Sequence, residues 1–324
     1  MTEASPQRAN MGFIFLIVAV ATIGGFLFGF DSGVINGTVT GLQQAFNATD
    51  IGTGFNVGSM LLGCAAGAFI AGRLSDMIGR RNVLLIAARK VAEIRESVAK
   101  DHQPRLSDLY DRNAGRIRPI LWVGIGLAVF QQLVGINIVF YYGAVLWQAV
   151  GVTKADALFR NVLSGALSIL ACLAAIALID RIGRRPLLLI GSAGMAVTLG
   201  LMAYAFSTGT FDGESLDLSD DMGVLALYAA NGYVIFFNFS WGPVMWVMLG
   251  EMFPNQIRGS GLAVSGFAQW FANFGITMTF PIMLGTIGLT GAYGFYAASA
   301  FVSFFFVRAM VHETRGRELE DMVG

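Results

Sequence analysis

Charge is scarce in this chain: Asp, Glu, Lys and Arg make up 13% of its 324 residues, against a hydrophobic share of 55%. Soluble domains carry roughly 25% charged residues. The deficit, with a mean hydropathy of +0.65, excludes a water-soluble globular protein and points to a polytopic membrane protein whose partner is the lipid bilayer. Cysteine and histidine occur twice each. Cys64 and Cys172 both sit inside apolar stretches without CxxC spacing, which argues for packing and against a redox or metal role. His312-Glu313 has no second histidine at helical spacing, and there is no GxSxG or Walker A pattern. The expectation is a protein that is not an enzyme and needs no cofactor or metal. Nor is nucleic acid an expected partner, because membrane topology accounts for the basic residues.

What the sequence has in plenty is long apolar runs. Stretches able to cross a hydrocarbon core of ~30 Å, about 20 residues each, lie at 11–40, 53–72, 119–149, 161–179, 186–206, 224–249, 260–284 and 288–308. No A-x-A-like cleavage site follows the polar start, so the first run reads as an uncleaved span. Threading the eight runs from an inside N-terminus leaves only Lys154 and Arg160, of 21 Lys and Arg, on the outer side. The loop 207–223 holds Asp212, Glu214, Asp217, Asp220 and Asp221 and no basic residue. Positive-inside topology then places both termini in the cytoplasm, with the plasma (inner) membrane as the expected location. Between the runs, 89–118 is charged, with Val91, Ile94 and Val98 at helical spacing up to Pro104 and Leu106 and Leu109 resuming it. It reads as a cytoplasmic helical linker, either a solvated basic connection or a docking module. The expected organisation is a partial N-terminal bundle over 1–88, the linker 89–118, a six-helix bundle over 119–311 and a cytoplasmic tail over 312–324.

Two polar features break the apolar pattern. Asp31 is the one ionisable residue well inside a run. Charge at that depth is costly and usually faces a cavity or a partner. Gln131, Gln132 and Asn137 put three amides into the run 119–149. On an ideal helix five positions rotate the chain by about 140° net, so Gln132 and Asn137 cannot share a face. Gly135 between them offers a remedy, since unwinding there would turn the amides toward one site. Amides both donate and accept, which suits a hydroxylated ligand; the alternative is polar glue between packed helices.

A loop is also written twice: Asp76-Met77-Ile78-Gly79-Arg80-Arg81 after the second run and Asp180-Arg181-Ile182-Gly183-Arg184-Arg185 after the fourth. The glycine permits a tight reversal, the aspartate can accept from helix-start N–H groups, and the arginines anchor at the cytoplasmic face. These loops, with Gly24–Gly37 (GGFLFGFDSGVING), Gly72–Arg81 (GRLSDMIGRR), Gln131–Asn137 with Tyr141-Tyr142, Asp180–Pro186, Gly242–Gly259 (GPVMWVMLGEMFPNQIRG) and Gln269-Trp270, resemble the sugar porter family of the major facilitator superfamily. The resemblance covers nearly the whole chain. It implies an all-α helical bundle of two six-helix halves that sandwich a monosaccharide near the membrane midplane.

One departure from that family is large. Duplicated loops should be six spans apart and here are two apart, so four spans, helices 3–6 of the usual twelve, are absent. The join falls near Ala87–Arg89. What remains is an incomplete bundle of about eight spans, two from the first half and six from the second. Missing with the lost part are the family's membrane arginine and RG loop after the fourth helix, the polar site residue of the fifth, and the P-E-S/T-P-R stretch after the sixth.

Carried over by the resemblance, the substrate-binding residues are Gln131, Gln132, Asn137, Trp246, Gln269 and Trp270, with Phe28 and Tyr141 as weaker candidates. An indole plane and the C–H face of a sugar ring are complementary apolar surfaces, although tryptophan is also common at membrane interfaces. Asp31 is the expected proton carrier. Asp76, Arg80, Arg81, Asp180, Arg184, Arg185, Glu251 and Arg258 are the expected cytoplasmic network that makes and breaks ion pairs as the halves rock. The implied activity is transport of a hexose or pentose by alternating access, with the proton as coupling ion. The competing reading is a truncated, non-transporting sugar-binding or regulatory membrane protein. A second chain that completes the missing half is the expected partner in a working transporter.

Overall fold

The computed structural model describes residues 49, 51–55, 57–59, 61–66, 106–111, 115–139, 153–211, 216–254 and 257–315. Phe28, Asp31, Asp76, Arg80, Arg81 and Tyr141 lie outside the described residues.

The described chain is helical. Its elements are α1 (Ile51–Ala66), α2 (Pro119–Leu133), α3 (Lys154–Ile182), α4 (Arg184–Ser207), α5 (Asp220–Phe239), α6 (Trp241–Met252) and α7 (Arg258–Met310). Two ribbons of two residues per strand accompany them, β1 (Tyr110–Asp111) with β2 (Arg116–Ile117) and β3 (Thr210–Phe211) with β4 (Leu216–Asp217), both antiparallel. The described end of the linker 89–118 is therefore a 3-10 turn, Leu106–Leu109, followed by the first ribbon. The spacing of Leu106 and Leu109, read as the resumption of a helical pattern, is used in a single turn, with Leu109 buried.

Local chemistry sets the helix ends. Pro119 starts α2 where its missing N–H costs nothing. Thr153 caps α3, its Oγ1 accepting from the Asp156 N–H at 3.2 Å and donating to Asp156 Oδ2 at 2.6 Å. Asp220 and Asp221 occupy the first turn of α5, where carboxylates favour the positive end of the helix dipole. Gly183 (φ 99°) joins α3 to α4 with no intervening loop. At 53 residues α7 is too long for one crossing, about 80 Å of helix. Gly288 (φ 67°, ψ −176°) breaks it into two arms, each long enough for a crossing of its own. A further break, at Ser240 (φ −131°, ψ −87°), divides the run 224–249 into α5 and α6.

α7 packs chiefly on α4 and α2, α4 on α5, and α3 on α5. Trp241, Tyr233, Tyr296, Phe253 and Phe280 fill the middle of this bundle and are fully buried. α1 crosses α7 closely: a Cβ on Gly54 would stand 2.4 Å from the Met278 carbonyl oxygen, and one on Gly58 would stand 3.2 Å from the Phe274 ring. Glycines four apart are the small-residue spacing by which membrane helices approach backbone to backbone. α3 is the opposite case. Phe159, Val162, Ile169, Leu170 and Ile176 are 63–70% exposed, an apolar face with no covering element among the described residues.

Candidate functional site: a buried amide cluster and a charged cluster at the helix ends

The run that carries the three amides is unwound where its glycine stands. α2 ends at Leu133, Val134 and Gly135 form a turn, and helix resumes at 136–139. Gly135 has φ 84°, a left-handed conformation that glycine adopts without a Cβ penalty. Tyr296 packs its ring over this glycine, and the Tyr233 hydroxyl donates to the Val134 carbonyl at 2.7 Å. The break absorbs the ~140° that would separate Gln132 from Asn137 on a regular helix, and Asn137 Nδ2 donates to Gln132 Oε1.

From there the hydrogen bonds run inward. Gln132 Nε2 donates to Gln131 Oε1 at 3.1 Å, and Gln269 Nε2, from α7, donates to the same oxygen at 3.2 Å. Gln131 Nε2 donates to the carbonyls of Trp241 at 3.1 Å and Gly242 at 3.5 Å. Trp241 is itself pinned, its Nε1 donating to Ser192 Oγ at 2.9 Å and to the Leu188 carbonyl at 3.2 Å, and Ser303 Oγ donates to Ser192 Oγ at 2.9 Å. Gln131, Gln132 and Gln269 are buried, at 4%, 3% and 5% exposure. Gln269 Oε1 is buried with no hydrogen-bond partner, and so is Nδ2 of Asn273, one turn further along α7.

Four of the sequence-derived substrate residues are thus brought together: Gln131, Gln132, Asn137 and Gln269. Trp270 packs against the core beside Gln269, while Trp246 is 41% exposed and outside the hydrogen-bonded cluster. Sequence reasoning missed Trp241 and Asn273. Trp241 had a signal in Pro243, which fits the first turn of a helix and not the middle of a long one.

The helix ends around Gly183 form a second constellation with the tail after α7. Arg184 grips Glu251 with two prongs, Nε to Oε2 at 3.0 Å and Nη2 to Oε1 at 2.8 Å, and its Nη1 lies 2.8 Å from Asp180 Oδ1. Asp180 is engaged with Arg184 and does not cap the helix start. That role belongs to Glu313, whose Oε1 and Oε2 accept from the Arg184 and Arg185 main-chain N–H groups, each at 3.0 Å. Arg185 reaches elsewhere, donating from Nη2 to the Arg308 carbonyl at 2.8 Å. Arg258 Nε donates to the Phe253 carbonyl at 3.2 Å. The tail adds two more ties: Thr314 Oγ1 to Glu251 Oε2 and Arg315 Nη1 to the Arg181 carbonyl, both at 2.6 Å.

The family model described as "Sugar (and other) transporter" matches residues 17–89 and 87–323. The chain belongs to this sugar transporter family. The two matched stretches overlap at 87–89. A glucose transport protein of Synechocystis sp. is 34% identical over 465 residues, covering 99% of each chain. Set against the 324 residues present here, 465 aligned positions leave at least 141 opposite a gap. A D-xylose transporter of Levilactobacillus brevis is 36% identical over 234 residues, which is 72% of this chain and 49% of that one. Apart from the glucose transport protein, the chain spans about half the length of the curated relatives it matches. Among solved structures, the crystal structure of a D-xylose-proton symporter overlays with a TM-score of 0.71 at 26% identity, over 94% of this chain and 99% of that one.

Proposed function

We propose that this sugar transporter family member binds a monosaccharide, a hexose or a pentose, at the amide cluster, and that Gln131, Gln132, Asn137 and Gln269 are its polar contacts, with Trp246 and Trp270 stacking on the ring. The observation that carries the reading is a row of linked amides inside a membrane bundle that ends in an unpartnered buried oxygen, Gln269 Oε1. Such an oxygen costs free energy until a hydroxyl donates to it. Phe28 and Tyr141 complete the apolar side and Asp31 carries the coupling proton in this reading.

Transport follows if the cytoplasmic latch opens and closes as two bodies rock. The proposed bodies are the partial bundle 1–88 and the six-helix bundle 119–311, with 89–118 between them and 312–324 as the tail. Asp76, Arg80 and Arg81 supply the first-half share of the network that Asp180, Arg184, Arg185, Glu251 and Arg258 supply in the second. Both termini are placed in the cytoplasm of a plasma (inner) membrane. The names of similar proteins, a D-xylose transporter and a glucose transport protein, support a sugar of this size.

At least 141 residues opposite a gap and the uncovered face of α3 favour one alternative, a chain that binds sugar without moving it unless a second chain completes the wall. Purified protein in proteoliposomes separates the two. Saturable D-glucose or D-xylose counterflow is expected if the chain transports; sugar binding without counterflow selects the alternative, and no binding of either sugar refutes the proposed site.

A further inference from the structure

Resting on the amide cluster as a sugar site, the structure also fixes which way each amide points. A glutamine side chain has a donating and an accepting end, and the two can be exchanged by a flip unless a neighbour forbids it. Main-chain carbonyls forbid it, since they only accept. Gln131 faces two of them, those of Trp241 and Gly242, so the end toward α6 must be Nε2.

The choice then propagates. Gln131 turns Oε1 toward its neighbours, so Gln132 and Gln269 must each present Nε2 to it. Gln132 is left with Oε1, which takes Nδ2 of Asn137. The ends left over are therefore Gln269 Oε1, buried and without a hydrogen-bond partner, and Asn137 Oδ1, both acceptors. Two donors accompany them, Asn273 Nδ2 and Ser265 Oγ, each buried, unpartnered and one helical turn from Gln269.

We propose that the Trp241 and Gly242 carbonyls set the hydrogen-bond polarity of the whole site, so that it selects ligands whose hydroxyls donate toward Gln269 and Asn137. Trp241 is in this sense a specificity-positioning residue that acts through Gln131. The ties from its indole to Ser192 and Leu188 hold the residue still. A polyol satisfies the site. An isostere in which fluorine replaces the relevant hydroxyl accepts but cannot donate, and leaves Gln269 Oε1 unpaired.

The test uses the full chain in lipid nanodiscs, with D-xylose and D-glucose as parent probes and their monodeoxy and monodeoxyfluoro analogues at each position. At one position or more the fluoro analogue should bind as weakly as the deoxy analogue, about tenfold or more below the parent, the usual penalty for a buried acceptor left unmade. Fluoro analogues that match the parent at every position would overturn the proposal while leaving the sugar site standing. Failure of both parent sugars to bind would remove the site and the proposal together. Gln131→Leu adds a readout that a merely structural role would not move. With the carbonyl lock gone Gln269 is free to flip, and the parent-to-fluoro affinity ratio should shrink toward one. A uniform loss of affinity that keeps the ratio would refute the role assigned to the carbonyls.

Discussion

Replacing Gly135 by alanine puts the geometry of the site under direct strain. At φ 84° a Cβ sits in the left-handed region, which costs an L-residue about 1–2 kcal/mol. The added carbon would lie 2.8 Å from Cγ of Tyr296, with two further ring carbons at 3.0 and 3.1 Å. That ring is 1% exposed and locked between neighbours, so it cannot swing away. Forcing an extra carbon into a filled core costs a further 1–3 kcal/mol or so, giving roughly 2–5 kcal/mol together. The less costly response is to rewind the segment toward regular helix, which would carry Asn137 away from Gln132. Gly135→Ala should therefore unfold at lower temperature in a detergent or nanodisc melt and lose most of its sugar affinity. Gly165→Ala is the matched control, because nothing lies within 4 Å of the Cβ it would gain. Equal stability and equal sugar binding in Gly135→Ala and the parent chain would refute the claim that this turn builds the site.

Two further outcomes follow from close contacts elsewhere. A double-mutant cycle on Arg184 and Glu251 should give a coupling of about 1.5–3 kcal/mol, as expected for a two-pronged charged hydrogen bond. The same cycle on Arg184 and Asp180, whose side chain is 79% exposed, should give about 0.5 kcal/mol or less; equal couplings would contradict the assignment. In α1, Gly54→Ala should loosen its packing on α7, read as earlier melting and faster protease cleavage, since the clash is with the Met278 backbone and no side-chain rotation relieves it. Gly63→Ala, with open space around it, should change neither.

Much of the bundle was legible because hydropathy counts crossings well. The runs at 161–179 and 186–206 lie within α3 and α4, and those at 260–284 and 288–308 lie along α7, on either side of its break. Gly135 was legible for a stronger reason: three amides in one apolar run demand a common side, and one glycine between them can provide it. The Ser240 break was not, because an apolar average over 224–249 does not register a change of direction, and only Pro243 hinted at a helix start. Gly54 and Gly58 carried their spacing openly, but spacing alone names no partner helix. The capping role expected of Asp180 went to Glu313, 129 residues from Arg184. Nothing local to His312-Glu313-Thr314-Arg315 announces that contact, which exists only once α7 has brought the tail under α4.

The Glu313 contact also bears on how the molecule is made. Two of the free N–H groups at the start of α4 are satisfied by a carboxylate synthesised 128 and 129 residues later. At about 5–20 residues per second that is a wait of roughly 6–26 s, during which α3 and α4 can enter the bilayer as a hairpin with an open inner end. Glu251 arrives midway and takes the Arg184 side chain, but the N–H groups remain uncapped until Glu313 is made. A carboxylate translated late thus closes a joint between α3 and α4 made much earlier, and a nascent chain stalled before residue 313 would hold these helices with that joint still unlatched.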